Sequence, residues 1–213
     1  MSLPRRADRN GRFGESVYLP ERTAGWRGAD AWAQRVNLPV GYLIGLGSNI
    51  APAQNIPAML AGLLDIHPRL MVSRIVRTAP KGIDSPHDFL NAVVFLPVDM
   101  PADELKQRTN AIEAKLGRDR SRPDKKLIDR TADIDLLLRT EPGQRDERLD
   151  QIESYLLPRA KEMFDYIAGR PTPAVTPGTQ IETVMLDGCT LGQTPATIDR
   201  DDRAGLIRVI EQR

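Results

Sequence analysis

Cys189 is the only cysteine among 213 residues, and His67 and His87 are the only histidines. A lone thiol excludes an internal disulfide and any cysteine-based zinc cage, and two histidines are too few for a histidine-rich metal site. The chain also lacks an excess of either charge: 30 Lys and Arg face 29 Asp and Glu, a formal net charge of +1. That balance argues against a general polyanion binder, though it leaves room for a local basic patch. No apolar run approaches the ~18 residues that a membrane span needs. Arg5-Arg6 are followed by no apolar segment, so a secretory or twin-arginine signal is not expected. Asp8, Glu15, Glu21 and Asp30 count against an organellar transit peptide. Internal repeats and low-complexity tracts are missing too. The expectation is a soluble, cytoplasmic chain without a membrane partner, long enough for one domain and an extension.

What the chain does have is Arg130-Thr131-Ala132-Asp133-Ile134-Asp135-Leu136-Leu137-Leu138. A strand has a side-chain period of two, so Asp133 and Asp135 share one face while Ile134, Leu136 and Leu138 are expected in a core. Two like charges on one patch need a cation to offset them. Oxygen-only ligands favour a hard ion such as Mg²⁺, which keeps waters and shares itself with substrate phosphates. The Asp-x-Asp spacing is not specific by itself, because Asp199 and Asp201 repeat it inside a solvated run.

Residues 1–40 read as an Arg-, Gly- and Ala-rich arm holding Trp26 and Trp32, with Ala29, Trp32, Ala33 and Val36 on one side of a short helix. Such an arm is expected to pack on the body or on a second subunit. From Tyr42 the pattern sharpens. Tyr42 to Gly47 predicts a buried strand, and Asn55 an N-cap for a helix carrying Ile56, Leu60, Leu63 and Leu64, with Pro57 in its first turn. Leu70 to Arg77 predicts a second strand, Thr78 to Asp88 a loop with Pro80, Gly82 and Pro86, and Phe89 to Val98 a third strand. Ala102, Leu105, Thr109, Ile112 and Leu116 recur at helical steps before Gly117, where a C-cap belongs. A loop from Arg118 to Arg130 leads into the Asp-bearing strand. The order is strand, helix, strand, strand, helix, strand. It predicts an α+β, ferredoxin-like βαββαβ core, an antiparallel sheet with both helices on one face and the other face free for ligands. The expected organisation is an arm over 1–40, a domain over 41–170, and an extension over 171–213 packed on the domain or partly disordered.

Arg118, Arg120, Arg122, Lys125, Lys126 and Arg130 crowd the loop before the Asp strand. Guanidinium forks suit phosphate oxygens, and a basic loop feeding a paired-carboxylate strand is the grouping that phosphoryl transfer needs. The same run also reads as a solvated, salt-bridged loop. Five motifs stand in order: Gly45-Leu46-Gly47-Ser48-Asn49; Thr78-Ala79-Pro80-Lys81-Gly82 with Asp84 and Pro86; Phe89-Leu90-Asn91-Ala92-Val93-Val94; Ile112-Glu113 with Leu116-Gly117-Arg118; and Arg130-Thr131 with Asp133-Ile134-Asp135. Over roughly residues 41–140 the chain thereby resembles the 6-hydroxymethyl-7,8-dihydropterin pyrophosphokinase family of folate biosynthesis.

The resemblance implies transfer of pyrophosphate from ATP, the co-substrate, to the hydroxymethyl group of a reduced pterin, with release of AMP. Asp133 and Asp135 would hold two Mg²⁺ ions bridging the ATP phosphates. Asn91 would hydrogen-bond the pterin, with groups near Thr78 and Lys81 assisting, and Phe89 would stack on its ring. Arg118 and Arg120 match arginines that open the family's catalytic loop, and Arg130 one that meets the triphosphate. Glu113 stays open between a functional acid and a surface carboxylate. The implied partners are small molecules, not nucleic acid.

There are departures. Where the family has Arg-Trp-Gly-Pro-Arg-Thr, this chain has Lys126-Leu127-Ile128-Asp129-Arg130-Thr131, and Val76 stands where the family has an aromatic hydroxyl. Leu156-Leu157-Pro158-Arg159-Ala160-Lys161-Glu162 lacks the histidine of the family's Pro-His motif, leaving Phe164, Arg159 and Lys161 as candidate substitutes for its later residues. The alternative these departures suggest is a non-catalytic paralogue that binds a pterin or nucleotide and regulates a partner. An RNA-binding module of the same topology is disfavoured, because Phe89 to Phe95 lacks the basic, glycine-spaced aromatics that stack bases.

Overall fold

The computed structural model describes residues 38–121, 123, 124, 127–142, 149, 151–201 and 204–211. The expected arm up to residue 37, with its helix, lies outside them, as do Arg122, Lys125 and Lys126.

The core follows the expected order: β1 (Gly41–Ser48), α1 (Pro52–Leu64), β2 (Arg69–Val72) and β3 (Ile75–Thr78), β4 (Phe89–Leu96), α2 (Ala102–Lys115) and β5 (Asp133–Thr140). Beyond it come α3 (Leu157–Ile167), β6 (Gln180–Glu182), β7 (Val184–Leu186), β8 (Cys189–Leu191), β9 (Ala196–Arg200) and β10 (Ile207–Glu211). β1 lies between β4 and the edge strand β5, antiparallel to both. This is the ferredoxin-like arrangement. The extension enlarges it: β9 pairs with β2 and carries β10, while β6 pairs with β3.

Alternation along β1 divides two cores. Tyr42, Ile44 and Leu46 face α1 and α2, meeting Ile56, Leu60, Leu63, Leu105 and Ile112. Leu43 faces the other way, with Val93 and Phe95, onto Ala160, Met163 and Phe164 of α3. The sheet face expected to be free is therefore half covered, and only the part beside Gly45 and Gly47 stays open. No helix among the described residues is long and apolar enough to cross a membrane.

Four local expectations are corrected. Helix α1 begins at Pro52, not at Asn55: Ala51 is the N-cap, with φ 42°, and Asn55 sits inside the helix donating to the Ile50 carbonyl at 2.7 Å. Pro at the first helical position removes an N–H that would lack a partner anyway, but Pro57 now falls beyond the first turn. The strand expected over Leu70 to Arg77 breaks at Ser73-Arg74, because the Arg74 backbone N–H donates to Glu162 of α3 at 3.1 Å instead of to a strand. In β5 a bulge follows Leu136, since Ile44 pairs with Leu136 but Leu43 pairs with Leu138. The extra residue turns Leu138 to the α3 side, away from Ile134 and Leu136. Ala102 is exposed, so the buried stripe of α2 starts at Leu105.

Candidate active site

Register builds the site. Gly47 pairs with Asn91 on one side and Asp133 on the other, and Gly45 with Asp135, so the two acids, the amide and the two glycines share one face. A side chain at Gly47 would put its Cβ 3.0 Å from Asn91 Oδ1, and one at Gly45 would meet Leu156 Cδ1 at 2.9 Å. The glycines keep the floor low. The resulting pocket is lined by Thr78, Lys81, Phe89, Asn91, Arg130, Asp133 and Asp135 among others. Seven residues singled out in the sequence are thus brought together.

At the amide end of the pocket Asn91 is nearly fully buried, and its Nδ2 donates to Thr78 Oγ1 at 2.7 Å. That bond fixes the amide plane and leaves its oxygen beside Gly47. Phe89 presents its ring to the pocket, with the Arg130 guanidinium 5.7 Å from its centroid. Val76, in the place of an aromatic hydroxyl, is buried opposite Asn91.

At the acid end, cations compensate the carboxylates. Arg130 Nη1 lies 2.7 Å from Asp133 Oδ2, Arg118 Nη1 3.3 Å from Asp133 Oδ1, and Lys106 Nζ 3.4 Å from Asp135 Oδ1. Arg118 and Arg120 are not among the residues lining the pocket. They stand behind it. Helix α2 ends in a Schellman motif: Arg118 N–H donates to the Glu113 carbonyl at 2.9 Å and Gly117 N–H to the Ala114 carbonyl at 3.0 Å, with Gly117 at φ 86°. The turn sends Arg118 back along β5, where it donates to the Ala132 carbonyl at 2.7 Å.

Glu113 is not a surface carboxylate. Fully buried, it accepts the Ile134 N–H at 2.7 Å, between the two acids, and ion-pairs with Arg120, whose Nη2 lies 2.7 Å from Oε1. Lys106 adds a bond to the Ile134 carbonyl at 2.7 Å. Lys106 and Glu113 are two helical turns apart on α2, so one helix face grips the acid-bearing strand. The sequence reading missed Lys106, although that spacing was visible.

Tyr155 was missed as well. It lines the pocket just before α3, with Lys81 Nζ 5.9 Å from its ring centroid and bonded to Ser154 Oγ at 2.6 Å. Burial first, then the charges of Asp133 and Asp135, push its phenol above the usual range, so it stays a protonated donor. The candidate substitutes lie elsewhere: Phe164 is in the core, Arg159 pairs with Glu162 at 3.1 Å, and neither they nor Lys161 lines the pocket.

Among the described residues no cluster of three or more His, Cys, Asp or Glu could cage a metal. Two carboxylates on one open face fit a hard cation whose remaining oxygens come from a phosphate-bearing ligand and water.

Comparison with known proteins agrees with this geometry. A family model described as 7,8-dihydro-6-hydroxymethylpterin-pyrophosphokinase matches residues 43–165, more than half of the chain. A 2-amino-4-hydroxy-6-hydroxymethyldihydropteridine pyrophosphokinase from Porphyromonas gingivalis is 36% identical over 97 residues, covering 45% of this chain and 66% of its own length. The protein of that name from Bacillus subtilis is 33% identical over 109 residues, 50% of this chain and 64% of its own. The match thus spans slightly less than two thirds of these relatives. With the acid pair, the amide and the aromatic in register inside the matched region, the chain belongs to the 7,8-dihydro-6-hydroxymethylpterin-pyrophosphokinase family.

Proposed function

We propose that the chain transfers pyrophosphate from ATP to the hydroxymethyl group of 6-hydroxymethyl-7,8-dihydropterin, giving the pterin diphosphate and AMP in cytoplasmic folate biosynthesis. The observation that carries this reading is the pairing of Gly47 with both Asn91 and Asp133, which joins a heterocycle floor to a metal–phosphate end in one pocket. Asn91, with donor and acceptor on one amide, reads the pterin edge, Phe89 stacks on its ring, and Thr78 and Lys81 border it. Asp133 and Asp135 would hold two Mg²⁺ ions, which when bound offset the triphosphate charge and make the β-phosphorus more electrophilic. Arg130 reaches from Phe89 to Asp133 and so spans both substrates. Arg118 and Arg120 keep the acid strand in place through Ala132, Asp133 and Glu113. The hydroxymethyl oxygen bonds to the β-phosphorus and releases its proton to solvent while the bond from the β-phosphorus to the bridging oxygen breaks, that oxygen leaving on AMP. Most of the catalysis is positioning and charge compensation.

The matched relatives carry the names of pyrophosphokinases, which lends nothing to a binding-only paralogue. A coupled assay tests the choice. AMP should accumulate only when Mg²⁺, ATP and the reduced pterin are all present; ligand binding without AMP would establish the paralogue.

The floor gives a second expected outcome. Gly47→Ala should raise the KM for the pterin about five- to tenfold, roughly 1 kcal/mol, because its methyl forces the Asn91 oxygen away. The KM for ATP should stay within about twofold. Equal effects on both substrates would mean that Gly47 does not floor the pterin end.

A further inference from the structure

We propose that Asp129 is a positioning residue for this site: its carboxylate clasps the segment carrying Arg130 to the end of β1 and to the loop between β3 and β4. The proposal rests on the reading of Arg130 given above.

Three chain segments meet at Asn49, which is 5% exposed. Its backbone N–H and that of Ile50 donate to the Arg130 carbonyl at 3.1 and 3.3 Å, and its Oδ1 accepts the Arg130 N–H at 2.8 Å. The other end of the amide faces outward: Nδ2 donates to Asp129 Oδ1 at 2.6 Å, with Ser85 Oγ at 3.4 Å and the His87 carbonyl at 3.5 Å. His87 Nε2 stands 4.0 Å from Asp129 Oδ2, and Ser85 Oγ accepts the His87 N–H at 3.1 Å. Asp129 therefore orients the amide that holds Arg130 by its backbone. The Ser85 hydroxyl first, then Asn49 with His87 and Arg130, holds the Asp129 carboxyl below its usual range, so an ionised acceptor is there at neutral pH.

The clasp bears on function through one side chain. With its backbone tied by Asn49, Arg130 lays its guanidinium between the Phe89 ring and Asp133. Release of the tie would let that guanidinium move while Asp133, Asp135 and Asn91 stayed in place.

Asp129→Ala and Asp129→Asn separate this role from plain structural support. Asp129→Ala should lower kcat on the order of tenfold and weaken a non-hydrolysable Mg·ATP analogue in calorimetry, with a smaller loss of pterin affinity and Tm nearly unchanged. Asp129→Asn keeps an oxygen for the Asn49 amide and should recover most of the loss. Ser85→Ala, which leaves Asp129 in place, should show a smaller effect of the same kind. Wild-type kcat and analogue affinity in Asp129→Ala would overturn the proposal, as would a loss confined to Tm or an Asp129→Asn variant no better than Asp129→Ala. If instead the wild-type protein releases no AMP, the proposed function falls, and the analogue affinities still decide the role of Asp129.

Discussion

Asp135→Ala should lose about a thousandfold or more in turnover while melting within a few degrees of the wild type. A metal ion held by these acids would supply several kcal/mol of charge stabilisation to the transferring phosphate, and each ~1.4 kcal/mol is tenfold in rate. Asp135 is more than half exposed, and it pairs with Lys106 at 3.4 Å, so the fold gives up little with it. Asp133 is different. It accepts Arg130 and Arg118, and the Arg118 side chain is only 8% exposed, so Asp133→Ala would leave a nearly buried guanidinium with the Ala132 carbonyl as its remaining acceptor among the described residues. Asp133→Asn is the cleaner variant. It should match Asp135→Ala in lost turnover and cost about 1 kcal/mol of stability from weakened charge assistance. Steady-state AMP release beside thermal melts checks both. More than about a tenth of wild-type turnover in either would remove the acid pair from the phosphate chemistry.

The largest expected change in stability is far from the acids. Glu162→Ala should cost about 3–5 kcal/mol, because it leaves two buried guanidiniums without their carboxylate. Glu162 is fully buried on α3, accepts the Arg74 N–H at 3.1 Å, pairs with the Arg74 side chain, and lies 3.1 Å from Arg159 Nη1. Arg74 also reaches the carbonyls of Gln193 at 3.2 Å and Pro173 at 3.1 Å, so the extension is tied to the same charge. Burial pushes the Glu162 carboxyl up against the pull of both arginines, and burial also lowers Arg159. Such a triad gives little net stability but is costly to break. Urea unfolding should show a midpoint lowered accordingly, with a Glu162→Gln variant less affected. Triple replacement of Arg74, Arg159 and Glu162 by apolar residues should recover most of the loss. A Glu162→Ala change below about 1 kcal/mol would mean that water reaches the triad.

That triad also shows why part of the fold was not legible. β1, α1, β4, α2 and β5 announced themselves through local periodicity, as in Leu105, Thr109 and Ile112. The break between β2 and β3 depends on Glu162, 88 residues away, and no local pattern records it. The bulge at Leu137 is likewise a matter of register against β1, which turns Leu138 into the other core. Helix α3 did carry a signal, since Leu156, Ala160, Met163 and Phe164 recur at helical steps, but the segment was read only for its missing histidine. For the site, the period of two put Asp133 and Asp135 on one face, and the structure brings Phe89 and Asn91 into the same pocket. Tyr155 was invisible, because only the fold of α3 over the sheet brings it to the carboxylates.

Phosphorus-31 NMR of ATP, Mg²⁺ and 6-hydroxymethyl-7,8-dihydropterin incubated with the protein tests the proposed chemistry most directly. The expected spectrum gains AMP and a pterin diphosphate in equal amounts and shows no ADP. Growth of ADP or free phosphate without the pterin diphosphate would contradict it.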